Sequence, residues 1–128
     1  MSVALRERPS PGALGRRAED EAAAYLRVRG YRVVARNVRC RAGEVDIVAY
    51  EGEVLCFVEV RSRSSCRYGT PAETVTAGKQ ARITRAAAAY LAGFEGAPPR
   101  CRFDVVTLTG RGARPAVALL RGAFEASS

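Results

Sequence analysis

The chain has 128 residues, 48% of them apolar, enough for one domain with a real core; disordered, collagen-like and small disulfide-framework classes are excluded. There is no His and no Trp, which removes Ser-His-Asp and Cys-His catalysis, His-based zinc sites and His general acids together. The formal charge of +8, from 20 Arg and one Lys against 10 Glu and three Asp, points to a polyanionic partner.

Where the charge sits says more. Residues 1–42 carry ten Arg and four acids, residues 43–60 five acids and no base, and residues 61–85 six bases and one acid. A plain polyanion binder has no need of the acidic block. A metal-dependent enzyme acting on a phosphate backbone does, with carboxylates for the cation and a basic surround for the substrate. Cys40, Cys56, Cys66 and Cys101 form no C-x-x-C pair, which argues against zinc; as free thiols they fit a reduced cytoplasm. No apolar run approaches the roughly 18 residues of a membrane span, and the first residues lack the apolar core of a secretory signal.

In chain order, residues 1–12 read as a loose tail and residues 13–125 as a single domain. A helix is predicted over 13–29, with Leu14, Ala18, Ala22, Tyr25 and Leu26 as its apolar stripe and Gly30 as its stop. Strands follow at 31–38, 43–50 and 53–62. Residues 63–71 are a loop, 72–92 a second helix, 101–109 a fourth strand and 116–121 a fifth. The order α-β-β-β-α-β-β defines an α+β fold, one mixed sheet of about five strands flanked by two main helices.

The second and third strands carry the chemistry. With Glu51-Gly52 as a two-residue turn, Tyr50 pairs with Glu53. One face then holds Val45, Ile47, Ala49, Val54, Cys56, Val58 and Val60. The other holds Glu44, Asp46, Val48, Tyr50, Glu53, Leu55, Phe57, Glu59 and Arg61. This register sets Glu44 opposite Glu59, with Asp46 diagonal to Glu59. Facing like charges cost about 0.2–1 kcal/mol, and a hard cation, Mg²⁺ or Mn²⁺, would relieve them. The plainer alternative is a wet strand end neutralised by Arg61 or Arg63. Glu19 shares a helix face with Ala18, Ala22, Ala23 and Leu26, an odd place for an acid unless it pairs with Arg16 or Arg17 at the surface. Lys79, the chain's one Lys, precedes Ile83, Ala86 and Tyr90 at helical spacing, so it either points to the sheet as a phosphate clamp or sits in an ordinary solvated first turn.

Several pieces in order carry a resemblance: Gly15-x-x-Ala18-Glu19, then Tyr25-Leu26 and Gly30-Tyr31; Arg36-Asn37; Gly43-Glu44-Val45-Asp46-Ile47-Val48-Ala49; Phe57-Val58-Glu59-Val60-Arg61-x-Arg63; Tyr68-Gly69-x-Pro71; Lys79; Arg102-Phe103-Asp104-Val105-Val106; and Ala123-Phe124. From about Gly15 to Phe124 the chain resembles the YraN family of small bacterial proteins, of the restriction-endonuclease-like superfamily. The resemblance implies a nuclease-type site in which Asp46 and Glu59 bind Mg²⁺ or Mn²⁺ and the Val60 carbonyl is a further ligand. Glu44 supports the cation, and Glu19 looks like the first-helix acid of related Holliday-junction resolvases. Arg61 stands where the superfamily usually has Lys. Arg keeps its charge, so it is no general base, although it can stabilise charge on the phosphorane beside Lys79.

The first reading is therefore a metal-dependent nuclease acting on DNA before RNA. Asp46, Glu59, Arg61 and Lys79 are catalytic, and Arg36, Arg39, Arg41, Arg63, Tyr68, Lys79 and Arg82 hold the backbone. The alternative is a nucleic-acid-binding protein on a nuclease fold that does not cleave, which Arg61 favours. A basic assembly module for ribosomes is a third reading; a membrane partner is disfavoured for want of a basic amphipathic segment. The likeness to resolvases, which work as dimers, leaves a homodimer open, and the sequence marks no dimer face.

Overall fold

The computed structural model describes residues 6–7, 13–63, 75–110 and 114–126. The elements are β1 (Arg6–Glu7), α1 (Ala13–Val28), β2 (Arg32–Cys40), β3 (Gly43–Glu51), β4 (Val54–Arg63), α2 (Ala77–Leu91), β5 (Cys101–Thr109) and β6 (Ala116–Phe124). Five strands of nine or ten residues and the two-residue β1 form one open sheet in the order β1-β2-β3-β4-β5-β6. Among the described residues only β4–β5 is parallel, and α2 lies in its crossover.

Local chemistry sets the element ends. After α1, Gly30 takes φ +92°, and the Gly30 and Tyr31 amides donate to the Arg27 and Leu26 carbonyls, each at 3.0 Å. Thr76 caps α2 by accepting from the Lys79 amide at 3.2 Å, so the helix starts at Ala77 rather than 72; residues 72–74 lie outside the described residues, as do 64–71 of the expected loop. Within the expected tail, Arg6–Glu7 pair with Arg39 and Val38 of β2. The last strand runs past its expected end at 121. Gly122, at φ +62°, absorbs a bulge, and Phe124 stacks on Phe103 with centroids 4.9 Å apart.

Both faces of the sheet are covered. On the α2 side Leu55, Phe57 and Val105 pack with Ile83, Ala86 and Ala87; on the α1 side Ile47, Cys56, Val58 and Val106 pack with Ala22, Ala23 and Leu26. Each buried Leu, Ile or Phe stabilises the fold by about 1.5–3 kcal/mol.

Two departures from the expected hairpin shape the site. The turn is Gly52-Glu53, not Glu51-Gly52: Glu51 pairs with Val54 and Ile47 with Val58. Gly52 has φ +60°, as a type II′ turn requires of its first central residue. The register therefore slides by two along β4. Continued past Ile47–Val58, it sets Asp46, not Glu44, across from Glu59. The second departure is a kink. Ala35 and Val48 face α2, Arg36 and Ile47 face α1, and Val38 and Val45 face α2 again. Alternation thus slips at the Asn37–Asp46 position, where Asn37 has φ +52°. Val45 accordingly leaves the expected apolar face of Ile47 and Ala49.

Candidate active site

The kink leaves Asp46 between the two layers. Its Oδ2 accepts from the Val60 amide at 2.8 Å, a backbone bond that holds the carboxylate across the splayed strands. On the α2 side stands Glu59, 4% exposed. Burial, then the Asp46 charge and a hydrogen bond shared with Asp46, push its carboxyl well above the usual range, against the pull of Lys79 and Arg61. Lys79 Nζ lies 3.7 Å from Glu59 Oε2 and 3.9 Å from Glu44 Oε1. Lys79 thus points to the sheet. Arg61 is exposed at the strand end and acts on Glu59 only through its charge.

Glu19 approaches Asp46 from α1. It is 4% exposed, and its expected surface pairing with Arg16 or Arg17 is replaced by Arg36, whose Nη2 lies 3.5 Å from Glu19 Oε1 and 2.7 Å from Asp20 Oδ1. Burial and the Asp46 charge raise the Glu19 carboxyl; Arg36 and Asn37 lower it. Among the described residues, the buried side-chain atoms without a hydrogen bond are Glu19 Oε1, Arg36 Nε and Thr107 Oγ1. The first two flank Asp46, and Thr107 pairs with Arg61 in the β4–β5 register. Unmet polar atoms collect at the carboxylate end of the sheet, where an ion, water or ligand would satisfy them.

The donor set there is all oxygen, which suits a hard cation. Among the described residues no three His, Cys, Asp or Glu side chains form a ready metal cage. A Mg²⁺ or Mn²⁺ ion here would have Asp46 and Glu59 as its protein ligands and would need water for the rest of its shell. Glu44 lies one step further out, on Lys79.

The other expected contacts are spread around this end. Arg41 and Arg82 are exposed; Arg39 is half-buried on β2; Arg63 is half-buried, its Nε donating to Thr109 Oγ1 at 3.3 Å. Arg36 is committed to α1. Tyr68 lies outside the described residues. A second polar cluster, unread in the sequence, sits at the hairpin end. Asp104, fully buried, accepts from Tyr31 Oη at 2.9 Å, Arg102 Nε and Nη2 at 2.8 Å each, and the Gly122 amide at 3.0 Å. Arg102 Nη2 also donates to Glu51 at 2.7 Å, and Arg121 clasps Glu51 with its Nη2 at 2.7 Å. The cluster's sequence signals are the Gly30-Tyr31 and Arg102-Phe103-Asp104 pieces, which carry the resemblance with no role attached. A shallow cavity of about 450 Å³ lined by Arg32, Tyr50, Gly52, Glu53, Pro99 and Arg100 contains none of the acidic cluster.

A mixed sheet between two helices, with the Asp46–Glu59 carboxylates at one end, defines the class of small α+β proteins with an acidic cluster. Within it, the profile of the uncharacterised protein family UPF0102 matches residues 18–108, and the chain belongs to that family, the YraN family of the sequence resemblance. It is 50% identical over 114 residues to the UPF0102 protein of Symbiobacterium thermophilum, covering 88% of this chain and 97% of that one. It is 49% identical over 119 residues to the UPF0102 protein of Bordetella avium, covering 92% and 79%. The counterpart in Chlorobaculum tepidum is 50% identical over 99 residues, 77% of each chain. Among the described residues no helix is long and apolar enough to cross a membrane.

Proposed function

We propose that the protein is a divalent-cation-dependent nuclease that hydrolyses phosphodiesters of nucleic acid, DNA before RNA. The observation that carries the reading is the pairing of buried Glu59 with half-buried Asp46, with one ammonium, Lys79, 3.7 Å from Glu59. Two carboxylates this close, one of them buried, are unfavourable unless a proton or a cation lies between them. A cation bound there would polarise the phosphoryl oxygen and supply hydroxide from its water.

The chain's own groups do the rest. Asp46 is held by the Val60 amide, which fixes its carboxylate beside Glu59. Lys79 faces the pair from α2 and stabilises charge on the phosphorane, which supports it, more than Arg61, in the place of the superfamily lysine. Arg41, in the β2–β3 turn, and Arg82, on α2, are exposed and suit backbone phosphates without base readout. DNA is preferred on the likeness to restriction-endonuclease-like proteins.

Binding without cleavage is the second reading. It draws on the lack of a ready three-ligand cage among the described residues and on Arg61. Calorimetric titration of Mn²⁺ separates the two. The nuclease reading expects one site with proton release, because the cation displaces the proton held on Glu59, and no such site in Asp46→Asn or Glu59→Gln. Nucleic-acid binding with no Mn²⁺ site in the wild type supports the second reading.

A further inference from the structure

Gly43 opens β3 with its backbone against the backbone of α2. A Cβ at this position would stand 2.6 Å from the Arg82 carbonyl carbon and 3.0 Å from its Cα, and would overlap the carbonyl oxygen itself. Helix backbone cannot swing aside as a side-chain tip can. Gly43 is not among the residues with positive φ, so close approach, not turn geometry, requires the glycine. Gly78, on the same helix, would meet nothing within 4 Å. The tight seat is thus local to Arg82.

That seat lies beside the candidate site. Glu44 follows Gly43, and Lys79 precedes Arg82 by three residues, on the same side of the helix. Val45 and Ile83 close the apolar core just behind the contact. We propose that Gly43 is a positioning residue: by letting β3 rest directly on the Arg82 carbonyl, it sets the height of α2 over the sheet and with it the reach of Lys79 to Glu44 and Glu59. Carbon atoms pack at about 3.5–4.0 Å, so a methyl group at 43 drives the two backbones apart by on the order of 1 Å. Lys79 Nζ, already 3.7 and 3.9 Å from its partners, then loses both. The catalytic meaning rests on the nuclease reading; the geometric claim does not.

The test uses the chain's one Lys as a probe. A zero-length carbodiimide joins an amine to a carboxylate only when the two are in ion-pair contact, and peptide mass spectrometry reads the Lys79–Glu44 link. Wild type and Gly78→Ala are expected to form it; Gly43→Ala, folded by circular dichroism, is expected to lose on the order of tenfold or more of it. Ala42→Gly/Gly43→Ala gives the turn room to retreat and serves if the single variant does not fold. Where the wild type cleaves nucleic acid, kcat falls in the Gly43 variant with KM unchanged. An undiminished link in the folded variant overturns the proposal, as does loss of the link in Gly78→Ala. A wild type that forms the link but cuts nothing refutes the nuclease reading and leaves the positional one standing.

Discussion

The Val60 amide donates to Asp46 Oδ2 at 2.8 Å at the point where the β3–β4 ladder, which ends at Ile47–Val58, would place its next pair. A side chain thus takes over a backbone position, and Asp46 is held by a bond that does not depend on its charge. Asp46→Asn keeps an acceptor for Val60, so its stability is expected within about 1 kcal/mol of wild type, whereas Asp46→Ala leaves a part-buried amide unmet and costs about 1–3 kcal/mol. Urea denaturation of the two variants checks this. Both are expected to lose the Mn²⁺ site.

Glu59 makes stability depend on pH in an unusual direction. An unfolded glutamate ionises near its ordinary value of 4.5, while in the fold burial and Asp46 keep the proton on. Above that value the folded state binds more protons than the unfolded one, so stability falls as pH rises, with a limiting slope of about 1.4 kcal/mol per pH unit, until the folded carboxyl ionises. Glu59→Gln removes the slope and becomes the more stable protein at neutral pH. Divalent cation is expected to raise wild-type stability most at the alkaline end. Melting curves across pH, with and without Mn²⁺, measure both effects.

On the nuclease reading, Lys79 and Arg61 are expected to share the charge-stabilising role unequally. Lys79 touches Glu59 and Glu44, while Arg61 is exposed. Lys79→Met is therefore expected to lower kcat by about 10²–10³, the range for removing a preorganised charge, and Arg61→Gln by less than tenfold. Equal losses in single-turnover cleavage would contradict this division.

Much of this was legible in the sequence. The elements follow from apolar periodicity and from Gly30, and the acidic hairpin from alternation between Gly43 and Arg61. The exact opposition of carboxylates was not legible. It turns on whether Glu51-Gly52 or Gly52-Glu53 makes the turn, and either choice leaves every side chain on the same face of an ideal hairpin. The kink at Asn37 was hidden for a different reason: a single positive φ at a non-glycine residue has no pattern, yet it moves Val45 to the α2 side and leaves Asp46 between the layers. Glu19 stands out in the sequence among its apolar neighbours, but Arg36, which meets it from β2, is brought there by tertiary structure alone.

The cluster at the hairpin end is expected to be structural and separable from the site. Asp104→Ala leaves Arg102 without its buried partner and is expected to cost about 3–5 kcal/mol. It should leave the Mn²⁺ affinity of the folded fraction unchanged. Glu51 gives the acid limb. Hydrogen bonds from Arg121 and Arg102 lower its carboxyl to about 2, so its contribution is complete above the ordinary value of 4.5 and is lost as pH falls toward 2. Glu51→Gln is expected to flatten stability over that window, as acid titration followed by circular dichroism would record.

Cleavage of labelled duplex, single-stranded and four-way-junction DNA with Mg²⁺ or Mn²⁺, by wild type and by Asp46→Asn/Glu59→Gln, tests the central claim most directly when binding is recorded in the same samples. Cation-dependent cutting by wild type, abolished in the double variant while DNA binding persists, is the predicted result. Salt-sensitive binding with no cutting, the same in both proteins, would contradict it and make the Asp46–Glu59 pair a feature of the fold alone.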